Sequence, residues 1–284
     1  MSTVLSIQST VAYGYAGNSA AVFPMQRLGI EVWPVITVHF SNNTSYDTWR
    51  GPQLTPHDLR EVITGIAERG VLERVDAVLT GYQGAEEVGA EILYAVDLVA
   101  ASNPRALYCC DPVMGDVDLG FFVAPGVPEY LRDEVVPRAH VVTPNHFELD
   151  FLTGRRTTTI PEVLTAAEAL RERGPHTVLI TSVVHDRQAP GTLDMIAVAP
   201  DGAWLVTTPL LERRFTGSGD LTSAIFLTAL LAGRATPAAL EQTAAVSYGV
   251  LKFTADAGAR ELCLVAAQDE IVAPSHRFST VRLR

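Results

Sequence analysis

The strongest constraint on the fold of this chain is an alternation. Short apolar runs rich in β-branched residues recur between stretches whose apolar positions follow helical spacing. The runs are Thr3 to Ile7, Glu31 to Val38, Val75 to Leu79, Ala106 to Cys110, His140 to Val142 and Thr177 to Thr181. Between them lie Gly17 to Leu28, Pro56 to Arg69, Gly84 to Ser102, Val127 to Val135 and Ile160 to Arg173, with Gly29, Gly70, Pro104 and Gly174 as breakers near their ends. A strand pattern followed repeatedly by a helix pattern predicts βαβ units, and strands without polar alternation predict a parallel sheet buried on both faces. The pattern then changes. Asp194 to Val198 and Trp204 to Thr208 flank Pro200-Asp201-Gly202, a turn sequence that predicts an antiparallel hairpin. Leu221 to Ala232 is apolar nearly throughout, which predicts a buried helix, and Pro237 to Ala255 predicts another.

No linker, internal repeat or low-complexity segment interrupts the 284 residues, so a single α/β domain is expected. The formal net charge of -11 opposes nonspecific attraction to nucleic acid or an anionic membrane. Lys252 is the only lysine, and the remaining positive side chains are scattered arginines, so an anion site must be compact. No segment offers the roughly 20 uninterrupted apolar residues that a bilayer span needs, and the N-terminus lacks a secretory pattern, so a cytoplasmic setting is expected. Cys109, Cys110 and Cys263 fit neither a disulfide framework nor zinc spacing, and all three are expected to lie in the buried core as reduced thiols.

Chemistry concentrates where strands give way to helices. Phe215-Thr216-Gly217-Ser218-Gly219-Asp220 precedes the apolar helix. Glycines let successive backbone N–H groups converge on one anion, and the free N–H groups of a helix start favour negative charge there. Asp220 has two readings. Aspartate often caps helices, and a carboxylate beside a nucleophilic hydroxyl can accept its proton during phosphoryl transfer. Asp111, at the end of a strand in Asp111-Pro112-Val113-Met114-Gly115, and Glu148, after Thr143-Pro144-Asn145, fall at what should be one sheet edge. Asp111, Asn145 and Glu148 could hold Mg²⁺ directly or through water; the same residue types also form ordinary turns. Ser9 to Asn18, Phe40 to Tyr46 and Gly81 to Gly84 offer the same choice between polar-ligand binding and turn chemistry.

Taken in order, these segments resemble the pyridoxal kinase family of the ribokinase-like superfamily. The marks are Tyr15-Ala16-Gly17-Asn18-Ser19, Phe40-Ser41-Asn42, Thr44, Gly81-Tyr82, Asp111-Pro112-Val113-Met114-Gly115, Ala124-Pro125-Gly126-Val127, Pro144-Asn145, Glu148 and Gly217-Ser218-Gly219-Asp220. The resemblance implies a three-layer α/β/α fold and ATP-dependent phosphorylation of the 5′-hydroxymethyl group of pyridoxal. Mg²⁺, often K⁺, and a homodimer come with it. It assigns Asp220 as catalytic base beside Gly217, Ser218 and Gly219; Ser9, Thr44, Ser45 and Tyr82 to the substrate; and Asp111, Thr143, Glu148, Thr181, Arg213, Arg214, Phe215 and Thr216 to ATP. Asp111 and Glu148 would hold the metal, through water. Where a lysine would reach ATP phosphate this chain has Thr181, so either Arg213 or Arg214 supplies the charge or the affinity for nucleotide is lower. Asn43, Ser45 and Ser218 also depart from the common pattern. The neighbouring readings are a hydroxymethylpyrimidine kinase and a pyridoxal-binding protein with little turnover on the same fold.

Overall fold

The computed structural model describes residues 1–284. The first half alternates as its patterning requires: β1 (Thr3–Val11), α1 (Asn18–Arg27), β2 (Glu31–Phe40), α2 (Pro56–Ala67), β3 (Ala77–Thr80), α3 (Glu86–Ser102) and β4 (Leu107–Cys110). A two-stranded hairpin follows, β5 (Gly115–Asp116) with β6 (Gly120–Phe121), and then α4 (Val127–Tyr130), β7 (Val141–Val142), α5 (His146–Thr153), α6 (Ile160–Arg171) and β8 (Thr177–Val183). The chain closes with β9 (Thr192–Ala199), β10 (Gly202–Pro209), α7 (Ser218–Leu231), α8 (Thr236–Asp256), α9 (Gln268–Val272) and β11 (Val281–Arg282).

Nine strands form one sheet in the order β2-β1-β3-β4-β7-β8-β9-β10-β11. Every neighbouring pair from β2 to β8 is parallel, and the pairs from β8 to β11 are antiparallel. The predicted hairpin is β9–β10, with Gly202 opposite Ala199. Strand alternation sends Val78, Tyr108, Cys110 and Val178 into an apolar layer shared with α2, α3, α5 and α6. Leu79, Cys109 and Leu179 go to the opposite face, against α1, α7 and α8. The result is the expected α/β/α sandwich.

Two helices owe their starts to local chemistry that matters later. α7 has Leu221 to Ala229 buried without interruption, because it lies between α1, α8 and the sheet. α5 starts with a capping box: the Asn145 side chain accepts from the Glu148 N–H at 2.9 Å, and Glu148 accepts from the Asn145 N–H at 2.9 Å. The periodicity of the sequence does not disclose α5, whose eight residues give too few turns for a stripe. Cys109 and Cys110 are buried free thiols, and Cys263 is free and half-buried.

Candidate active site

In a parallel sheet the chain leaves every strand on the same edge, so the loops after β1, β2, β3, β4, β7 and β8 gather there. This brings the expected residues together from distant sequence. Ser9 is buried near the end of β1, Tyr82 is half-buried after β3, and Thr44 and Ser45 are exposed in the loop after β2. Asp111 and Thr143 are buried directly after β4 and β7, Glu148 is buried on α5, and Thr181 is half-buried near the end of β8. Burial pushes the Tyr82 phenol above its ordinary range, so it remains protonated and able to donate.

The structure does not give Asp220 the role of a helix cap. The N-cap of α7 is Gly217, no side chain caps that helix, and Asp220 is its third residue. Its carboxylate reaches instead across 203 positions of sequence to accept the Gly17 N–H at 2.8 Å, beside the substrate-side turn. Burial pushes Asp220 up to about 6, although the Gly17 N–H opposes the shift. A carboxylate with that proton affinity is ionised at neutral pH yet basic enough to receive a proton.

The two glycines of the loop play different parts. Gly217 has φ +85, and a Cβ there would lie 2.2 Å from the Tyr15 carbonyl oxygen, so only glycine lets the loop before α7 pack on the turn after β1. Gly219 has no positive φ, and the nearest atom to a Cβ would be Asp111 Oδ2 at 3.9 Å. Its missing side chain leaves open space between the α7 N-terminus and Asp111. Ser218 fits the loop, its N–H donating to the Phe215 carbonyl at 3.2 Å.

Asp111 accepts from the Ser223 hydroxyl at 3.0 Å, and Ser223 and Thr143 share a hydrogen bond of 2.8 Å. Burial, with Glu148 and Asp220 as like charges nearby, holds Asp111 well above the carboxylate range. Burial likewise pushes Glu148 up to about 7, against N–H bonds from Asn145 at 2.9 Å and Met114 at 3.0 Å. Ser223 was missed in the sequence, though it sits one helical turn after Asp220 and shares its face. No three His, Cys, Asp or Glu side chains converge closely enough to chelate a metal ion between them. Glu148 is a like charge that helps raise Asp111, and Asp116 plays that part for Glu148.

The arginines expected to replace a lysine at Thr181 are engaged elsewhere. Arg214 pairs with Asp116 and Asp118 on the β5–β6 hairpin. Arg213 donates to the Ala259 carbonyl at 2.7 Å and lies over the Phe215 ring. Thr216 donates to the Ser45 hydroxyl oxygen at 3.3 Å, which joins the phosphate segment to the substrate loop. Thr181 is tied by its N–H to the Pro144 carbonyl at 3.0 Å, and Ser182 after it is the one non-glycine residue at positive φ, 51°. That position falls where the register of β8 with β9 breaks, between Ile180 and Val183.

Residues 14–261 match the phosphomethylpyrimidine kinase family model. A protein of Rubrobacter xylanophilus named pyridoxal kinase PdxY is 54% identical over 281 residues, 99% of this chain and 97% of that one. The chain belongs to the pyridoxal kinase family. A protein of the same name from Leifsonia xyli is 50% identical, with 99% of each chain covered. The solved pyridoxal kinase of Leishmania donovani, in complex with ADP and pyridoxamine, superposes with a TM-score of 0.93 at 27% identity over 100% of both chains. Relatives of this kind place the ribokinase-like fold and an ATP-dependent kinase activity on the sandwich described above.

Proposed function

We propose that this chain transfers the γ-phosphoryl group of ATP to the 5′-hydroxymethyl group of pyridoxal. The observation that carries the proposal is the position of Asp220, which joins the substrate turn through Gly17 and stands in the first turn of α7 beside the phosphate loop. In this reading Ser9, Thr44, Ser45 and Tyr82 line the pyridine pocket. Asp220 accepts the hydroxyl proton as the oxygen attacks, and the N–H groups of Gly217, Gly219 and Asp220 receive the charge that develops on the transferred group. Asp111, Thr143, Glu148, Thr181 and the Arg213 to Thr216 segment face the nucleotide. A Mg²⁺ ion held by Asp111 and Glu148, partly through water, would offset the charge of the polyphosphate. Ser223 keeps the Asp111 carboxylate oriented toward that space.

The resemblance carries a cytoplasmic homodimer and a K⁺ requirement into the same proposal; no helix of the chain is long and apolar enough to cross a membrane. The test is a coupled assay for pyridoxal 5′-phosphate with ATP, Mg²⁺ and K⁺, run with pyridoxal, pyridoxine, pyridoxamine and hydroxymethylpyrimidine in competition. Preferred turnover of pyridoxal is the expected result. Preferred turnover of hydroxymethylpyrimidine would move the substrate assignment, and tight binding without turnover would make the chain a binding protein. Omitting Mg²⁺ and K⁺ in turn separates the two cation requirements, and size-exclusion chromatography reads the oligomeric state.

A further inference from the structure

One carboxylate outside the phosphate site gathers more of the substrate side than any residue assigned to it. Glu261 lies in the turn after α8, yet its Oε2 accepts the Tyr15 N–H at 3.1 Å, 246 positions earlier in the chain. Its Oε1 accepts the Tyr46 hydroxyl at 2.8 Å and the Asn43 side-chain amide at 3.1 Å. The approach is close enough that a Cβ on Gly14 would lie 2.0 Å from Oε2. Its neighbour Arg260 stacks over the Tyr46 ring, 3.6 Å from the centroid, and donates to the Ser45 carbonyl at 3.2 Å. Two adjacent residues therefore hold the loop after β2 and the turn after β1 in one register.

The direction of the hydrogen bonds continues into the pocket. A carboxylate only accepts, so the Asn43 amide must turn its NH₂ toward Glu261 and its carbonyl oxygen the other way. That oxygen accepts the Ser45 N–H at 3.1 Å and the Ser45 hydroxyl at 2.5 Å. The Ser45 proton is thereby committed, and its oxygen is left as an acceptor, the role it plays toward Thr216 at 3.3 Å. Asn43 is 4% exposed and bonded through both ends of its amide, so it directs Ser45 and does not offer itself to a ligand.

We propose that Glu261 is a positioning residue of the substrate pocket, acting through Asn43 on the Ser45 hydroxyl and through Tyr15 and Tyr46 on the loops around it. The effect on substrate affinity rests on the pyridoxal kinase reading; the effect on the loop does not. Glu261→Ala removes charge-assisted hydrogen bonds and should raise KM for pyridoxal about tenfold or more while KM for ATP stays within about twofold. Glu261→Gln keeps one acceptor oxygen and should fall between Glu261→Ala and the parent protein. In a Ser45→Ala background the Glu261→Gln penalty should shrink severalfold, because the two lie on one chain of bonds. A residue that only held the fold would lower the melting temperature and the active fraction and leave KM for pyridoxal where it was. Should Glu261→Ala fail to fold, Glu261→Gln carries the same comparison.

A second measurement separates this proposal from the assigned reaction. Amide hydrogen exchange at residues 43–46, read in substrate-free protein, should accelerate about tenfold in Glu261→Gln, since the Ser45 N–H loses its fixed acceptor. An inactive parent protein with accelerated exchange in the variant would overturn the pyridoxal reading and leave the positioning role standing. KM for pyridoxal within twofold of the parent in both variants, or unchanged exchange at Ser45, would overturn the positioning role.

Discussion

The two sides of the candidate site are built on opposite electrostatic terms. On the substrate side a single carboxylate, Glu261, meets three donors, with the Arg260 guanidinium beside it. On the phosphate side Asp111, Glu148 and Asp220 stand near one another, and all three are pushed above the carboxylate range. Charged groups that are satisfied by hydrogen bonds fix geometry, whereas burial that disfavours the ionised form raises the proton affinity of a carboxylate. The first side is thus organised by its own side chains, whereas the second keeps buried carboxylates whose proton affinity is raised.

The sharpest way to break this contrast is Asp220→Asn. The amide keeps an acceptor for the Gly17 N–H but cannot take a proton, so kcat should fall by about 10²–10⁴-fold while pyridoxal still binds. Turnover near that of the parent protein would remove Asp220 from the chemistry. Smaller, and directed at the loop, is the comparison of Gly217→Val with Gly219→Ala. The first places a side chain against the Tyr15 carbonyl at a left-handed position and should lower both melting temperature and kcat. The second adds a methyl group in open space and should keep the melting temperature while raising KM for ATP. Equal effects on stability would show that the loop is uniformly strained.

The smallest effect is in stability against pH. Asp220 is raised in the folded protein from an ordinary value of 3.8 to about 6, so the folded state holds the extra proton between those values. Its contribution to stability is complete below the lower value and is lost as pH rises through the upper one. Asp220→Asn should therefore melt about 2–4 °C higher than the parent protein at pH 8, with the gain vanishing near pH 4. In activity the same group acts the other way, because the ionised form is the base: kcat/KM should rise with pH through about 6. A melting gain that persists at pH 4 would trace the stabilisation to packing and not to charge.

Much of the frame was legible in order along the chain. The alternation of β-branched runs with helical spacing gave the parallel half of the sheet, the turn at Pro200 to Gly202 gave the β9–β10 hairpin, and the apolar stretch from Leu221 gave the buried helix. Strand-end positions of Asp111 and Thr143 were visible for the same reason, since burial on both faces leaves a continuous apolar run that stops where polar residues begin. Less visible was α5, whose start depends on a reciprocal bond between Asn145 and Glu148 and not on a stripe. Nor could local pattern disclose Glu261, whose partners lie more than 200 positions away.

By itself the sequence determined the layers, the sheet edge that collects ligands and the residue types placed there, because those follow from periodicity and from short-range turn chemistry. Only the tertiary structure decided what each carboxylate does. Asp220 reaches Gly17 and does not cap its own helix, Glu261 directs Asn43, and Arg213 and Arg214 hold neighbouring loops. The physical reason is that the proton affinity and hydrogen-bond direction of a side chain are set by burial and by partners brought from afar, and neither quantity is encoded within a few residues of the group itself.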